Sequence, residues 1–176
     1  MPRKIVLTGG PGTGKSTIIE ELTRRNFTCM PEISRQVTLK AQSKGINQLF
    51  LADPIYFSEL LLKGRLEQFK MAEELSDTPI FFDRGLPDIS AYLDFLGIDS
   101  PKPIANMIEA NPYEMVFILP PWEDIYTDDN ERYENYSQAE RIHQFLLKTY
   151  NKLGYDLLEV PRDTVASRVD FILKYI

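Results

Sequence analysis

Gly9-Gly10-Pro11-Gly12-Thr13-Gly14-Lys15-Ser16 fills every fixed position of G-x-x-x-x-G-K-[ST], the phosphate-binding P-loop pattern. The residue types carry one chemistry. Successive amides turned inward make a concave anion site, and bulky side chains would block it. Glycine tolerates the positive φ that such a loop needs. The loop must also open a helix, whose free N–H groups and dipole then face the phosphate. The expected nucleotide contacts are Gly10, Pro11, Gly12, Thr13, Gly14, Lys15, Ser16 and Thr17. Lys15 is expected to reach the β- and γ-phosphates of ATP. The Ser16 hydroxyl is expected to bind a Mg²⁺ that bridges the same oxygens.

Four further stretches have the right chemistry and the right place. Pro79-Ile80-Phe81-Phe82-Asp83 is an apolar run ending in a carboxylate. Such an acid binds Mg²⁺ through water or activates a nucleophile, so Asp83 is a candidate metal contact and catalytic group. Arg84 beside it suits a substrate anion or the phosphoryl group in transfer, or an ion pair with a neighbouring acid. Glu32 and Arg35, in Met30-Pro31-Glu32-Ile33-Ser34-Arg35, follow a short second strand. A carboxylate there suits a general base that takes a proton from an acceptor hydroxyl, and it equally suits the positive end of a helix. Asp88 is placed either to line the acceptor pocket or to serve the first turn of a helix. The segment 120–141 reads as a lid, with Arg132 and Arg141 placed to grip phosphoryl oxygens bidentately. It also holds Trp122, Tyr126, Tyr133 and Tyr136, which suit stacking on a ring, closing over the site, or packing among themselves. Arg162, in the loop after the fifth strand, is a candidate contact to the adenine end. His143 is the only histidine and reads as structural.

These groups need a scaffold that brings strand ends together. Apolar, strand-like runs at 3–8, 27–30, 78–82, 114–119 and 155–160 alternate with helical patterns at 15–25, 33–44, 54–75, 87–96, 102–110, 137–153 and 163–175. Asp53-Pro54 is a helix start, and Ser137-Gln138-Ala139-Glu140 has the spacing of a capping box. The alternation predicts a three-layer α/β/α fold: a five-stranded parallel sheet with helices on both faces. Ligands of such sheets bind beyond the carboxyl ends of the strands, where all the candidate groups fall.

Composition narrows the classes. The 176 residues suit one domain, 1–176. Net charge is −6, and 122–136 carries six acids against one base, Arg132. A general nucleic-acid binder needs a basic face, so nucleic acid is not an expected partner. There is no apolar run of membrane-spanning length, no room for a signal peptide before the first strand, and Cys29 is the only cysteine. A cytoplasmic protein is expected.

The set TGGPGTGKST, PEISR, DRGLPD…AY and LPPWE…D…ER…E, in this order, resembles a family of AAA-like P-loop proteins. That family includes the ribosylnicotinamide kinase domain of NadR and an animal lipid- and GTP-binding relative. The set is also similar to deoxynucleoside kinases. The resemblance implies a nucleoside-kinase-like fold with strand order 2-3-1-4-5, which puts Asp83 beside the P-loop. It makes Glu32 the expected base and Arg84 a phosphate or substrate contact. The expected function is ATP·Mg-dependent transfer of the γ-phosphoryl group to a small hydroxyl acceptor. The alternative is an ATP- or GTP-dependent binding module or switch. Asp94-Phe95-Leu96-Gly97 fits D-x-x-G but falls in a helical pattern, and Asn151-Lys152-Leu153-Gly154 lacks the acid of a guanine-reading motif.

Overall fold

The computed structural model describes residues 2–76, 78–126 and 135–176. Five parallel strands, β1 (Lys4–Gly9), β2 (Thr28–Met30), β3 (Ile80–Asp83), β4 (Met115–Leu119) and β5 (Leu157–Glu159), form one sheet in the order β2-β3-β1-β4-β5. This is the order the resemblance implies. Around it lie α1 (Lys15–Arg24), α2 (Ile33–Gln42), α3 (Leu49–Ala52), α4 (Pro54–Glu74), α5 (Pro87–Phe95), α6 (Lys102–Ala110), α7 (Tyr136–Lys152) and α8 (Val165–Leu173).

The central strands β1, β3 and β4 are buried and mostly apolar because both faces are covered. Successive side chains still divide by face. Ile5, Leu7, Phe81, Phe117 and Leu119 pack with Ile18 and Leu22 of α1 and Val169 and Ile172 of α8. Val6, Ile80, Phe82, Val116 and Ile118 pack with Leu61 and Phe69 of α4, Ile89 and Leu93 of α5, and Ile142 and Leu146 of α7. This period of two, superimposed on a continuous apolar run, is what the pleat requires.

Register places the chemistry. Leu7 pairs with Asp83, Met30 with Phe82, and Gly9 with Leu119. The ends of β1, β2 and β3 therefore deliver the P-loop, Glu32 and Asp83-Arg84 to one edge. Helix starts follow their caps. Asp53 accepts from the Tyr56 amide at 3.0 Å, with Pro54 as the first helical residue. The expected cap of α7 is displaced. Its capping box is Asn135 with Gln138, not Ser137 with Glu140, and the earlier start seats the Tyr136 ring 5.5 Å from that of Tyr126. Among the described residues, no helix is long and apolar enough to cross a membrane.

Candidate active site

The P-loop leaves β1 and turns into α1 at Gly14, which has φ 78° and would meet Arg168 Nη1 at 2.8 Å if it carried a Cβ. The positive φ favours glycine there, and a Cβ would press on the end of the Arg168 side chain. Thr13 Oγ1 donates to the Gly10 carbonyl at 3.0 Å and fastens the loop to itself. Lys15, the first residue of α1, points to the sheet. Its Nζ lies 2.7 Å from Asp83 Oδ1, and both side chains are 7% exposed. Apart from that ion pair, Asp83 Oδ1 takes no hydrogen bond from any described residue. Ser16 and Thr17 follow on the first turn and are exposed.

A second ion pair stands beside the first. Glu32 occupies the N-cap position of α2, yet its carboxylate does not cap the helix. It accepts from Ser34 Oγ at 2.7 Å and from Arg84 Nε at 2.9 Å. Burial pushes its carboxyl up, but the charges of Arg84 and Lys15 and the hydrogen bonds from Ser34 and Arg84 outweigh it, holding the group well below the usual carboxylate range. Glu32 is therefore ionised throughout the neutral range. Arg84 has φ 70°, a left-handed conformation that costs a non-glycine residue about 1–3 kcal/mol. Its surroundings over-determine it. The Arg84 amide donates to the Leu7 carbonyl at 3.0 Å, and Nη1 donates to the Gly9 carbonyl at 3.0 Å and to Asp88 Oδ1 at 3.4 Å.

Asp88 lies behind the site rather than on its wall, at 1% exposure. Oδ1 accepts from Thr8 Oγ1 at 2.7 Å. Oδ2 accepts from the Gly85 amide at 3.0 Å and the Tyr150 hydroxyl at 2.6 Å. With both oxygens taken, it has none for an acceptor molecule, and it braces Arg84 instead. Gly85 belongs to this brace. A Cβ there would lie 2.7 Å from the Tyr150 hydroxyl.

The remaining expectations divide. Arg132, Tyr133 and the acids at 128, 129, 131 and 134 lie outside the described residues. Arg141 is on the outer face of α7, its guanidinium 5.3 Å from the Phe95 ring. Arg162, after β5, donates through Nε to the Pro121 carbonyl at 2.9 Å and so ties that loop to the lid entry. Arg35 is exposed on the first turn of α2. Trp122 donates to Asp124 Oδ2 at 3.1 Å. His143 is buried, and desolvation lowers its pKa. It lines a cavity of about 230 Å³ with Pro121, Glu159 and Arg162.

Four residues of this architecture are absent from the expectations: Thr8, Arg65, Tyr150 and Arg168. Arg65 donates to the Gly85 carbonyl at 2.7 Å, and Arg168 donates to the Thr13 carbonyl at 3.0 Å. One signal marks the two arginines in the sequence. Arg65 falls on the buried face of α4 with Leu61, Phe69 and Ala72, and Arg168 on that of α8 with Val169 and Ile172. An arginine at a core-facing position of a helix needs a partner inside.

The donor set fits Mg²⁺. That ion is typically bound through one or two carboxylates, substrate phosphates and waters. Asp83 supplies a buried carboxylate oxygen, and Ser16 a hydroxyl at the start of α1. Among the described residues no group of three or more His, Cys, Asp or Glu forms a self-sufficient metal cage.

Comparison with known proteins agrees with the fold. Among solved structures, deoxyadenosine kinase from M. mycoides with products dCMP and dCDP superposes with TM-score 0.69 at 18% identity, over 98% of this chain and 97% of that one. NadR in complex with NR gives 0.73 at 14% identity, over 98% of this chain but 49% of the NadR chain. Thymidylate kinase from Candida albicans gives 0.66 at 17% identity, over 99% and 91%. These likenesses establish the P-loop kinase fold. A search of curated protein sequences finds no significant match. The AAA domain family model matches residues 4–168, nearly the whole chain, and the protein belongs to that family.

Proposed function

We propose that the protein is a small-molecule kinase that transfers the γ-phosphoryl group of ATP to the hydroxyl of a nucleoside-like acceptor. The observation that carries this reading is the pair of ion pairs at adjacent strand ends: Lys15–Asp83 at the P-loop and Glu32–Arg84 beside it. A nucleotide switch needs the first pair. A transferase also needs a base and a cation on the acceptor side, and the second pair supplies both.

The roles follow from position. Incoming phosphates compete with Asp83 for Lys15, and Asp83 is then free to hold Mg²⁺ together with Ser16. Mg²⁺ held by these two residues would neutralise charge on the nucleotide's phosphates. Glu32 is the base. It accepts the proton of the acceptor hydroxyl as that oxygen bonds to the γ-phosphorus and the bond to ADP breaks. Arg84 holds Glu32 in place and faces the charge that develops on the transferring group. Its left-handed backbone and the Asp88 brace keep it preorganised. Arg132, Arg141 and Arg162 are proposed to close on the nucleotide from the lid side.

The switch reading is weaker. Asp94–Gly97 straddles the end of α5, with Gly97 at φ 74° closing the helix. The names of the similar structures (deoxyadenosine kinase, NadR with NR and thymidylate kinase) guide the acceptor class.

The test is ADP release from ATP·Mg by the purified protein, alone and with nucleosides, nucleoside monophosphates and ribosylnicotinamide. Stimulation of about a hundredfold or more by one class is expected, the scale on which positioned general-base catalysis operates. Slow hydrolysis unchanged across the panel would contradict the reading.

A further inference from the structure

Arg168 lies one turn into α8 and reaches across to the P-loop. Its Nη1 donates to the Thr13 carbonyl at 3.0 Å, and the guanidinium stands 5.7 Å from the Trp122 ring. The residue is 2% exposed. Among the described residues no carboxylate pairs with it, and Nε and Nη2 have no hydrogen-bond partner. Burial alone shifts its pKa, and shifts it down. A buried cation without an anion destabilises the fold that holds it. The fold nevertheless places this one against the loop built to receive phosphate.

We propose that the counter-charge of Arg168 is the polyphosphate of the bound nucleotide, with Arg168 acting as a positioning residue through the Thr13–Gly14 peptide. The inference rests on the nucleotide-binding reading of the P-loop. The carbonyl that accepts from Arg168 and the Gly14 amide are two ends of one peptide unit. A cation on the carbonyl polarises that unit and strengthens its N–H as a donor. The Gly14 amide belongs to the nest that faces the anion. The charge itself adds to the potential at the loop, and burial keeps solvent from screening it. Gly14 leaves room for the guanidinium, because a Cβ there would lie 2.8 Å from Nη1 and displace it. Trp122 covers the guanidinium, and as the only tryptophan of the chain its emission reports on the contact.

Thermal melts and binding titrations with ATP·Mg and with inorganic tripolyphosphate test this on wild type, Arg168→Met, Arg168→Gln and Arg168→Lys. Without ligand, the Met and Gln variants are expected to melt no lower than wild type. They are expected to bind ATP and tripolyphosphate about tenfold or more weakly, by equal factors, as loss of a charge-assisted hydrogen bond implies. The Lys variant is expected to keep most of the affinity. Addition of tripolyphosphate should change Trp122 emission in wild type and in the Lys variant, and much less in the other two. A ligand-free Met variant that melts well below wild type, with ligand affinity unchanged, would overturn the proposal. If the Met variant does not fold, the Lys and Gln variants decide. Equal affinity in those two would overturn it. Wild type that binds neither ligand would overturn the nucleotide reading along with it, whereas wild type that binds both, with variants that bind equally well, overturns this inference alone.

Discussion

Two buried arginines face the same loop in opposite electrostatic states. Arg84 has its needs met within the protein, by Glu32, Asp88 and the Gly9 carbonyl. Arg168 has one described acceptor, the Thr13 carbonyl. The proposed acceptor side is thus a closed network, formed within the protein itself. The proposed nucleotide side carries positive charge in reserve. The difference teaches where stability and binding should separate. Substitutions around Arg84 should weaken the fold and the chemistry together, whereas substitutions of Arg168 should weaken binding and spare the empty fold.

The largest expected effect tests the closed network at its hub. Asp88→Ala takes one of two carboxylates from Arg84, leaves the Thr8 and Tyr150 hydroxyls and the Gly85 amide without their acceptor in the interior, and should lower unfolding free energy by about 3–5 kcal/mol, read by urea denaturation. A loss below 1 kcal/mol would mean the network is not closed. Next comes Glu32→Gln, which keeps the shape and removes the proposed base. Phosphoryl transfer should slow by about 10²–10⁴-fold while the melting curve stays cooperative. Unchanged transfer would move the base to Asp83. Tyr150→Phe removes one donor to Asp88 and should cost about 1–3 kcal/mol, with turnover reduced through Arg84 rather than through nucleotide affinity. The smallest effect is in pH. The Glu32 carboxyl titrates below its unfolded value near 4.3. A depressed folded pKa gives stability that is complete above the unfolded value and is lost as pH falls through the folded one. The stability gap between wild type and Glu32→Gln should therefore be flat from about pH 6 to 8 and narrow below about pH 4. A gap that widens in acid would contradict the ion pair.

Much of this was legible in the sequence where a local pattern decides the outcome. The P-loop, the apolar strands and the carboxylate ending β3 are runs of adjacent residues, and the structure bears out the five strands and the layered sheet they imply. The strand order was not local and came from the resemblance. Caps are local but compete. Residues 135–140 hold two overlapping cap patterns, and the contact of Tyr136 with Tyr126 accompanies the earlier one. The Asp88 brace was out of reach for a different reason. It joins residues 80 and 62 positions apart, Thr8 and Tyr150, to one carboxylate. A first-turn aspartate looks the same in sequence whether it caps a helix, lines a pocket or anchors a buried network. The short helix α3, four residues between a turn and a proline, carries too few residues for a periodic signal. Arg65 and Arg168 were legible in principle, as cations on apolar helix faces, but their partners are carbonyls that no sequence pattern marks.

Transfer of label from γ-³²P-ATP in the presence of a nucleoside mixture tests the central claim most directly. The account predicts that the label appears on a nucleoside monophosphate, and that Glu32→Gln abolishes this product while still binding ATP. Label appearing only as inorganic phosphate, at a rate indifferent to the nucleosides and to Glu32, would contradict it.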